Sequence, residues 1–155
     1  MFKNFSLWYP DSGQFMPWQL VTHMFMHDAT GITHILFNMF AVYMFGSALE
    51  NYWGAKKFLI FYLATGIGAA VIFGLVKLLM GEEFIMSGAS GAVFGLLAGF
   101  GMLFPDTRLM LLFPPIPIKA KHFVLGYAAI ELYMMYSDKP EDNVAHLAHL
   151  AGALV

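Results

Sequence analysis

The chain has 155 residues, of which 59% are hydrophobic and only 12% are charged. A soluble domain usually carries about twice that charged fraction, so the composition predicts an integral membrane protein with a single domain. The net charge of −2 gives no basis for a nucleic-acid partner, and the absence of cysteine excludes disulfides, cysteine nucleophiles and thiolate metal sites.

The first part of the chain, residues 1–31, is predicted to be an outer or interfacial segment that precedes a helix bundle over residues 32–155. Its stretch from Phe15 to His27 is rich in aromatic residues and methionine, which suit the boundary between membrane and water. We predict a short interfacial helix over Trp18–His27, with Pro17 at its start, where proline is tolerated.

Four apolar segments approach the roughly 20 residues that a helix needs to cross the hydrocarbon. They are Ile32–Leu49, Phe58–Val76, Phe84–Pro105 and Phe123–Tyr136, the last extended back through Ile118. A fifth helix is predicted from near Asn143, and Val155 ends the chain before that helix covers the membrane. The predicted fold is therefore an all-α polytopic transmembrane bundle with about four full spans and a truncated fifth.

The basic residues predict the orientation of these spans. Two of the loops between spans carry most of them, and such loops are typically cytoplasmic. These residues are Lys56, Lys57, Arg108, Lys119 and Lys121. The other loops then face outward, and Ser90 and His149 each follow one of them. Both residues are expected within about two turns of the same face, so the topology permits them to meet.

Ser90 and His149 are the candidate nucleophile and base. A serine hydroxyl attacks efficiently only when a base removes its proton, and histidine is the usual base. Ser90 is expected near a helix start, where free backbone N–H groups stabilise negative charge. An oxyanion formed by its attack would find the Ser90 N–H close by, and Ser87 and Gly88 could add a further N–H.

A row of glycines runs along the third predicted span. Gly91, Gly95 and Gly99 repeat every four residues and so share one helix face, which lets a neighbouring backbone approach closely. Simple helix packing is one explanation. The other is that this face receives the small surface around His149, which includes Gly152, and so brings the two helices within hydrogen-bonding reach.

His34 and Asn38 lie four residues apart on one face of the first predicted span. Both are costly in a membrane and suggest a functional site, in which they could donate to an oxyanion. The alternative is an interhelical hydrogen bond that holds the bundle together.

The remaining polar residues receive simpler interpretations. His23 and His27 are expected at the membrane boundary. Glu131 is the one acid within a span, and we expect it to pair with a polar neighbour, because intramembrane acids need partners. Nothing in the sequence links Glu131 to His149, so the predicted catalytic unit is a dyad. Metal binding is not expected, because Glu131 is the only carboxylate that accompanies the histidines within the predicted spans and no His-Glu-x-x-His pattern occurs.

Together these residues resemble the rhomboid family of intramembrane serine proteases. The resemblance runs over nearly the whole chain. It rests on His34-Ile35-Leu36-Phe37-Asn38, on Ser87-Gly88-Ala89-Ser90-Gly91 and on Ala148-His149-Leu150-Ala151-Gly152. Two further stretches, Phe15–Gln19 and Glu50–Gly54, look like rhomboids of one bacterial subgroup.

The resemblance implies a role for each matched residue. Ser90 matches the family nucleophile and His149 its general base. His34 and Asn38 match the oxyanion-stabilising side chains, and the backbone of Ser87 and Ser90 matches the oxyanion-hole positions.

Two details of the family pattern concern the base. A glycine follows the catalytic histidine by three residues, which Gly152 satisfies for His149 and which His146 lacks. The position four after the nucleophile, often a tyrosine that stacks on the base, is Phe94 here, and its ring can still stack.

The function expected from the resemblance is a serine endopeptidase that cleaves transmembrane protein substrates within the lipid bilayer. It would need no cofactor, metal or nucleic acid, and it would lie in a bacterial inner membrane. The family core has six membrane helices, so the chain is expected to start after the first and to stop within the sixth. The outer loop at Ser137–Asp142 is the expected gate. A catalytically impaired relative that binds membrane segments without cleaving them is the alternative, and a histidine-rich metal enzyme is a third.

Overall fold

A computed structural model describes residues 4–26, 32–110, 115–137 and 143–155, apart from the side chains of 32–34 and 143–145. Most of these residues are helical, which confirms the predicted all-α class. The α-helices are α1 (Gln19–Thr22), α2 (Ile32–Ala41), α3 (Ser47–Trp53), α4 (Ala55–Leu79), α5 (Ser90–Leu103), α6 (Ala120–Ser137) and α7 (Asn143–Leu154). Two short antiparallel ribbons pair β1 (Leu7–Trp8) with β2 (Ile85–Met86) and β3 (Arg108–Met110) with β4 (Pro117–Lys119).

The first two predicted spans are present and slightly longer than expected. A π-helical segment, Val42–Gly46, joins α2 to α3 in one continuous rod that ends at Trp53. Gly54 stops it with a φ of 83°, a backbone conformation that glycine adopts without strain. By length and hydropathy together, α4 is the described helix that could cross a membrane, and α5 is apolar but shorter.

The predicted starts of the third and fourth spans are wrong, because strands take up the residues that precede both helices. The segment from Phe84 to Ala89 is not helical, since Ile85 and Met86 pair with β1, and α5 begins at Ser90. The extension of the fourth span back through Ile118 fails in the same way, because Ile118 pairs with Leu109. The fifth helix begins at Asn143, as predicted.

The predicted interfacial helix over Trp18–His27 is shorter and tighter than expected. Regular helix covers Gln19–Thr22, and a 3₁₀ turn continues it to Phe25. His27 lies outside the described residues, as does most of the predicted gate, Asp138–Asp142. Ser137 is the last residue of α6.

Helix α5 lies at the centre of the molecule. Its residues from 90 to 101 are all buried or half-buried, and α3, α4, α6 and α7 all pack against it. The outer helices instead expose large apolar side chains, which suit contact with lipid tails better than contact with water. Examples are Leu36, Phe37, Leu59, Ile60, Leu75, Leu125, Ile130 and Leu132.

Candidate active site

Ser90 is the first residue of α5 and is half-buried. The loop before it turns at Gly88, whose φ of 117° is a conformation that side chains disfavour. The Gly88 N–H donates to the His23 carbonyl at 2.8 Å and so ties this loop to the 3₁₀ turn that follows α1. Ser90 itself stands where the N–H groups of a helix have no intrahelical partner.

This hydrogen bond concerns one of the N–H groups that were expected at the oxyanion site. The Gly88 N–H is already engaged by His23 and is not available to an oxyanion in this structure. The backbone N–H groups of Ser87 and Ser90 stay as the predicted donors of this loop.

Helices α5 and α7 touch backbone to backbone beside Ser90. A Cβ atom at Gly152 would overlap the carbonyl group of Gly91, and a Cβ atom at Gly91 would lie 3.5 Å from the carbonyl oxygen of Ala148. Two helices can cross this closely only where the residues at the contact are small. Ser90 precedes Gly91 and His149 follows Ala148, so the two candidate catalytic residues flank this contact.

The ring of Phe94 stacks on the imidazole of His149. The two rings are 4.3 Å apart between centroids, and their planes differ by 7°. Phe94 lies one turn after Ser90 on the same face of α5. The imidazole therefore lies against the face of α5 that carries the serine.

Ser90 and His149 are not hydrogen-bonded to each other in this structure. Among the described residues, Ser90 Oγ has no hydrogen-bond partner, and the one His149 bond recorded goes to Glu131. Catalytic hydrogen bonds are often long before substrate binds and tighten only in the Michaelis complex.

Glu131 connects α6 to the candidate base. Its Oε2 lies 2.6 Å from Nδ1 of His146 and 3.0 Å from Nδ1 of His149. Only 5% of the glutamate is exposed. With Glu131 ionised, both imidazoles donate to it through Nδ1–H, because an ionised carboxylate only accepts hydrogen bonds. The expectation that Glu131 pairs with a polar neighbour is met, and one of its partners is the residue that the sequence did not link to it.

A signal for this pairing was present in the sequence. Glu131 lies six residues before the end of α6 at Ser137, and His149 lies six residues after the start of α7 at Asn143. In two antiparallel helices joined by one loop, equal distances from the loop place residues at the same depth. Equal depth identifies pairs of residues on the two helices that could be in contact. Which pair is in contact depends on how each helix is rotated about its axis.

The Glu131, His146 and His149 cluster has the residue types of a metal site. Its possible ligand atoms lie within 4.8 Å of one another. The two N–O separations of 2.6 and 3.0 Å are hydrogen-bond lengths. Ligands around one tetrahedral zinc ion, each about 2.0–2.1 Å from it, stand about 3.3 Å apart. The geometry fits a hydrogen-bonded network better, and the expectation of no metal stays a prediction.

Asn38 offers an unused hydrogen-bond donor. The residue is 6% exposed, and its Nδ2 has no partner among the described residues. A buried polar atom without a partner costs about 1–3 kcal/mol, so such atoms are rare in folded proteins and call for an explanation. The side chain of His34, one turn earlier, lies outside the described residues, so its predicted role stays a prediction.

The depth of Asn38 can be compared with that of Ser90. The rod formed by α2 and α3 runs in the same direction as α5, because Phe45 contacts Phe100 and, farther along both, Tyr52 contacts Phe104. At about 1.5 Å per residue, Asn38 lies about 10 Å before Phe45 along its helix, and Ser90 lies about 15 Å before Phe100. The two residues therefore differ in depth by about one helical turn.

The glycine row of α5 packs mainly against α4. A Cβ atom at Gly95 would meet Thr65, and one at Gly99 would lie 3.0 Å from the ring of Phe61. Gly91 is shared, because a Cβ there would lie 2.7 Å from Ala69 of α4 and also approach α7. Simple helix packing, one of the two explanations, therefore accounts for most of the row, and within the row the helix of His149 is approached at Gly91.

His23 is buried, with 1% of it exposed. Its Nδ1–H donates to the Gln19 carbonyl at 2.9 Å, and burial lowers the pKa of the imidazole. His23 therefore acts as a structural residue whose carbonyl holds the loop before Ser90.

Known proteins resemble this chain over most of its length. The model of the Rhomboid domain family matches residues 14–155. YdcA of Bacillus subtilis (strain 168) is 31% identical over 140 residues, which cover 89% of this chain and 64% of that protein. Rhomboid-like protein 11, chloroplastic, of Arabidopsis thaliana is 32% identical over 170 residues, which cover the whole chain and 52% of that protein.

The chain belongs to the rhomboid family and is, by that membership, an integral membrane protein. Rhomboid protease GluP of Bacillus subtilis is also similar, with 35% identity over 95 residues. The chain spans about two thirds or less of the length of the curated relatives that it matches.

Proposed function

We propose that this protein is an intramembrane serine endopeptidase that cleaves transmembrane segments of other membrane proteins. Ser90 is the nucleophile and His149 the general base. The observation that carries the proposal is the stacking of His149 on Phe94, one turn from Ser90, beside a glycine contact that brings α5 and α7 together. The chain belongs to the rhomboid family, and one of the relatives that it resembles is named a rhomboid protease. Both facts support the proposal.

The proposed reaction begins when His149 takes the proton of the Ser90 hydroxyl. Oγ attacks a peptide carbonyl of the substrate and forms a tetrahedral intermediate with a negative oxygen. His149 then gives the proton to the leaving amine, the C–N bond breaks, and Ser90 carries the acyl group. Water, activated by the same imidazole, releases the acid and restores the serine.

The negative oxygen of the intermediate needs donors that are in place before it forms. The Ser90 N–H at the start of α5 is one, and Asn38 Nδ2, buried without a partner among the described residues, is another. His34 and the Ser87 N–H complete the proposed set. A role as donor to the transient oxyanion would explain why the fold tolerates the cost of burying the Asn38 amide in this way.

The proposed partners are transmembrane protein substrates and the bilayer, with no cofactor, metal or nucleic acid. A substrate helix must unwind locally, because its carbonyl groups are otherwise hydrogen-bonded. A substrate with helix-weakening residues and a small side chain before the cleaved bond fits this requirement. The proposed location is a bacterial inner membrane, and Ser137–Asp142 with the start of α7 is the proposed gate.

The test is labelling of the detergent-solubilised protein with a fluorescent fluorophosphonate, which reacts with activated serines. Wild type is expected to label, and Ser90→Ala and His149→Gln are expected not to. Ser47→Ala, which alters another half-buried serine in a helix, is the matched control and should label normally. Labelling that survives Ser90→Ala would refute the proposal. A folded wild type that does not label would favour the alternative, a relative that binds membrane segments without cleaving them.

A further inference from the structure

We infer that Glu131 is a positioning residue for the base, so that the catalytic unit is a carboxylate–histidine–serine arrangement spread over α6, α7 and α5. The inference rests on the proposed function and assigns a role to a residue outside the predicted dyad. The glutamate touches neither substrate nor nucleophile in this proposal. It acts through the imidazole of His149.

Glu131 determines which ring nitrogen of His149 carries the proton. Glu131 Oε2 lies 3.0 Å from Nδ1 of His149, and a carboxylate accepts the proton of that nitrogen. Neutral imidazole carries one N–H, so Nε2 is left with a free lone pair. That lone pair is the acceptor a serine hydroxyl needs. The glutamate therefore holds the tautomer that can act as a base towards Ser90.

Glu131 also contributes to the orientation of the His149 imidazole. An imidazole can rotate about its side-chain bonds, and a base that is poorly aligned loses rate. Two contacts hold this ring: Phe94 lies flat against its face, and Glu131 binds its Nδ1 edge. The edge of the ring that bears Nε2 has no hydrogen-bond partner among the described residues.

Glu131 also compensates the positive charge that His149 acquires during the proposed reaction. During the reaction His149 becomes an imidazolium within a bundle of apolar helices, where an unpaired charge is costly. Glu131 is buried and already in contact with the nitrogen that shares this charge. A carboxylate at this position stabilises the charged intermediate and needs no rearrangement at the moment of reaction.

Helix α6, which carries Glu131, packs against α5. Tyr127 lies one turn before it on the same face of α6, and its ring is 5.3 Å from that of Phe94. The face of α6 that carries Glu131 is therefore packed against the residue that stacks on the base. The second imidazole, His146, lies with its Nδ1 2.6 Å from the same carboxylate oxygen.

The experiment compares Glu131→Gln and Glu131→Met in the whole protein in detergent, with fluorophosphonate as the probe. The maximal labelling rate of Ser90 and the probe concentration at half that rate are measured separately, along with the thermal unfolding midpoint. Glutamine retains an acceptor oxygen without charge, so we expect a loss of about tenfold in maximal rate, and about a hundredfold for methionine. The half-saturating concentration should not change, because the probe does not contact Glu131.

Two matched variants separate this role from general damage to the network. His122→Asn changes an exposed histidine on α6 and should label as wild type does. His146→Gln removes the other partner of Glu131 and leaves its bond to His149, so labelling should stay within about threefold. A loss for His146→Gln equal to that for Glu131→Met would overturn the assignment, because the network as a whole would then be what matters.

A spectroscopic readout completes the test. In protein labelled with ¹⁵N-histidine, the His149 signals, assigned by their loss in His149→Gln, should show the tautomer protonated at Nδ1 in wild type and a mixture in Glu131→Met. Wild-type labelling rates in both folded Glu131 variants would overturn the inference and leave the proposed function standing. A wild type that fails to label would overturn the proposed function, and with it the catalytic role of Glu131.

Discussion

Phe94 and His149 lie with their rings parallel and their centroids 4.3 Å apart, across the contact between α5 and α7. The contact is possible because Gly91 and Gly152 let the two backbones meet one turn away. A glycine pair and an aromatic stack thus act together, the first setting the distance between the helices and the second setting the orientation of the imidazole.

Replacing Phe94 tests the stack. Phe94→Leu keeps an apolar side chain but loses the flat ring, so the imidazole gains freedom. Aromatic stacking is worth about 0.5–1.5 kcal/mol, and we expect the labelling rate of Ser90 to fall by about two- to tenfold. Phe94→Tyr retains the ring and should stay close to wild type. Equal rates for the leucine and tyrosine variants would show that the ring face is not what orients the base.

Asn38 should matter for rate and not for stability. Asn38→Leu removes a buried donor that has no partner within the described part of the chain, so the unfolding midpoint should stay level or rise. Loss of an oxyanion donor should lower the maximal rate of peptide cleavage by about 10²–10³-fold with little change in KM. The measurement pairs thermal unfolding with cleavage of a transmembrane reporter substrate. A variant that is active but unstable would instead assign Asn38 to packing.

Two glycines on neighbouring helices should respond in opposite ways to the same substitution. Gly152→Ala places a methyl group against the Gly91 carbonyl, so α7 must move away from α5. Overpacking costs about 1–3 kcal/mol, and activity should fall with stability because His149 moves with the helix. Gly126→Ala points into space that the described residues leave open and should gain up to about 1 kcal/mol of helix stability. Thermal unfolding of both variants in one detergent decides the matter, and a neutral Gly152→Ala would contradict the backbone contact.

His23 should make the fold sensitive to acid. Burial lowers the pKa of His23 below its ordinary value of 6.5. At a pH between the lowered pKa and 6.5, His23 therefore binds a proton in the unfolded chain and stays neutral in the folded chain. The contribution to the free energy of unfolding is full above about pH 6.5 and falls, as the pH drops towards the lowered pKa, by up to about 1.4 kcal/mol per pH unit.

The measurement for His23 is the unfolding midpoint from pH 7.5 to 5, compared with that of His23→Asn. Asparagine retains a donor near the Gln19 carbonyl and does not titrate, so its curve should be flatter over the acidic range. Parallel curves for the two proteins would show that other groups cause the acid sensitivity.

Much of this molecule follows from local sequence. The helices over 55–79 and 143–154 match apolar runs, because a continuous hydrophobic segment has few alternatives to a helix in a membrane. Ser90 and His149 could be placed near the same face because alternating spans and basic loops fix which helix ends point outward.

The starts of α5 and α6 could not be predicted in this way. Met86 belongs to the apolar run but not to α5, because it pairs with Leu7, a residue far away in the chain. Ile118 likewise lies outside α6, because it pairs with Leu109. Hydropathy does not distinguish an apolar strand residue from an apolar helix residue, so strand pairing decided both boundaries.

The sequence by itself determined the helical membrane class, the candidate serine and histidine, and the small residues that let helices approach. The tertiary structure decided which helix the glycine row contacts, that the Gly88 N–H is engaged by His23, and that Glu131 binds Nδ1 of His149. The physical reason is that the depth of a residue follows from its count along a helix, whereas its partner depends on how each helix is rotated and crossed. Those angles are set by packing among all the helices at once.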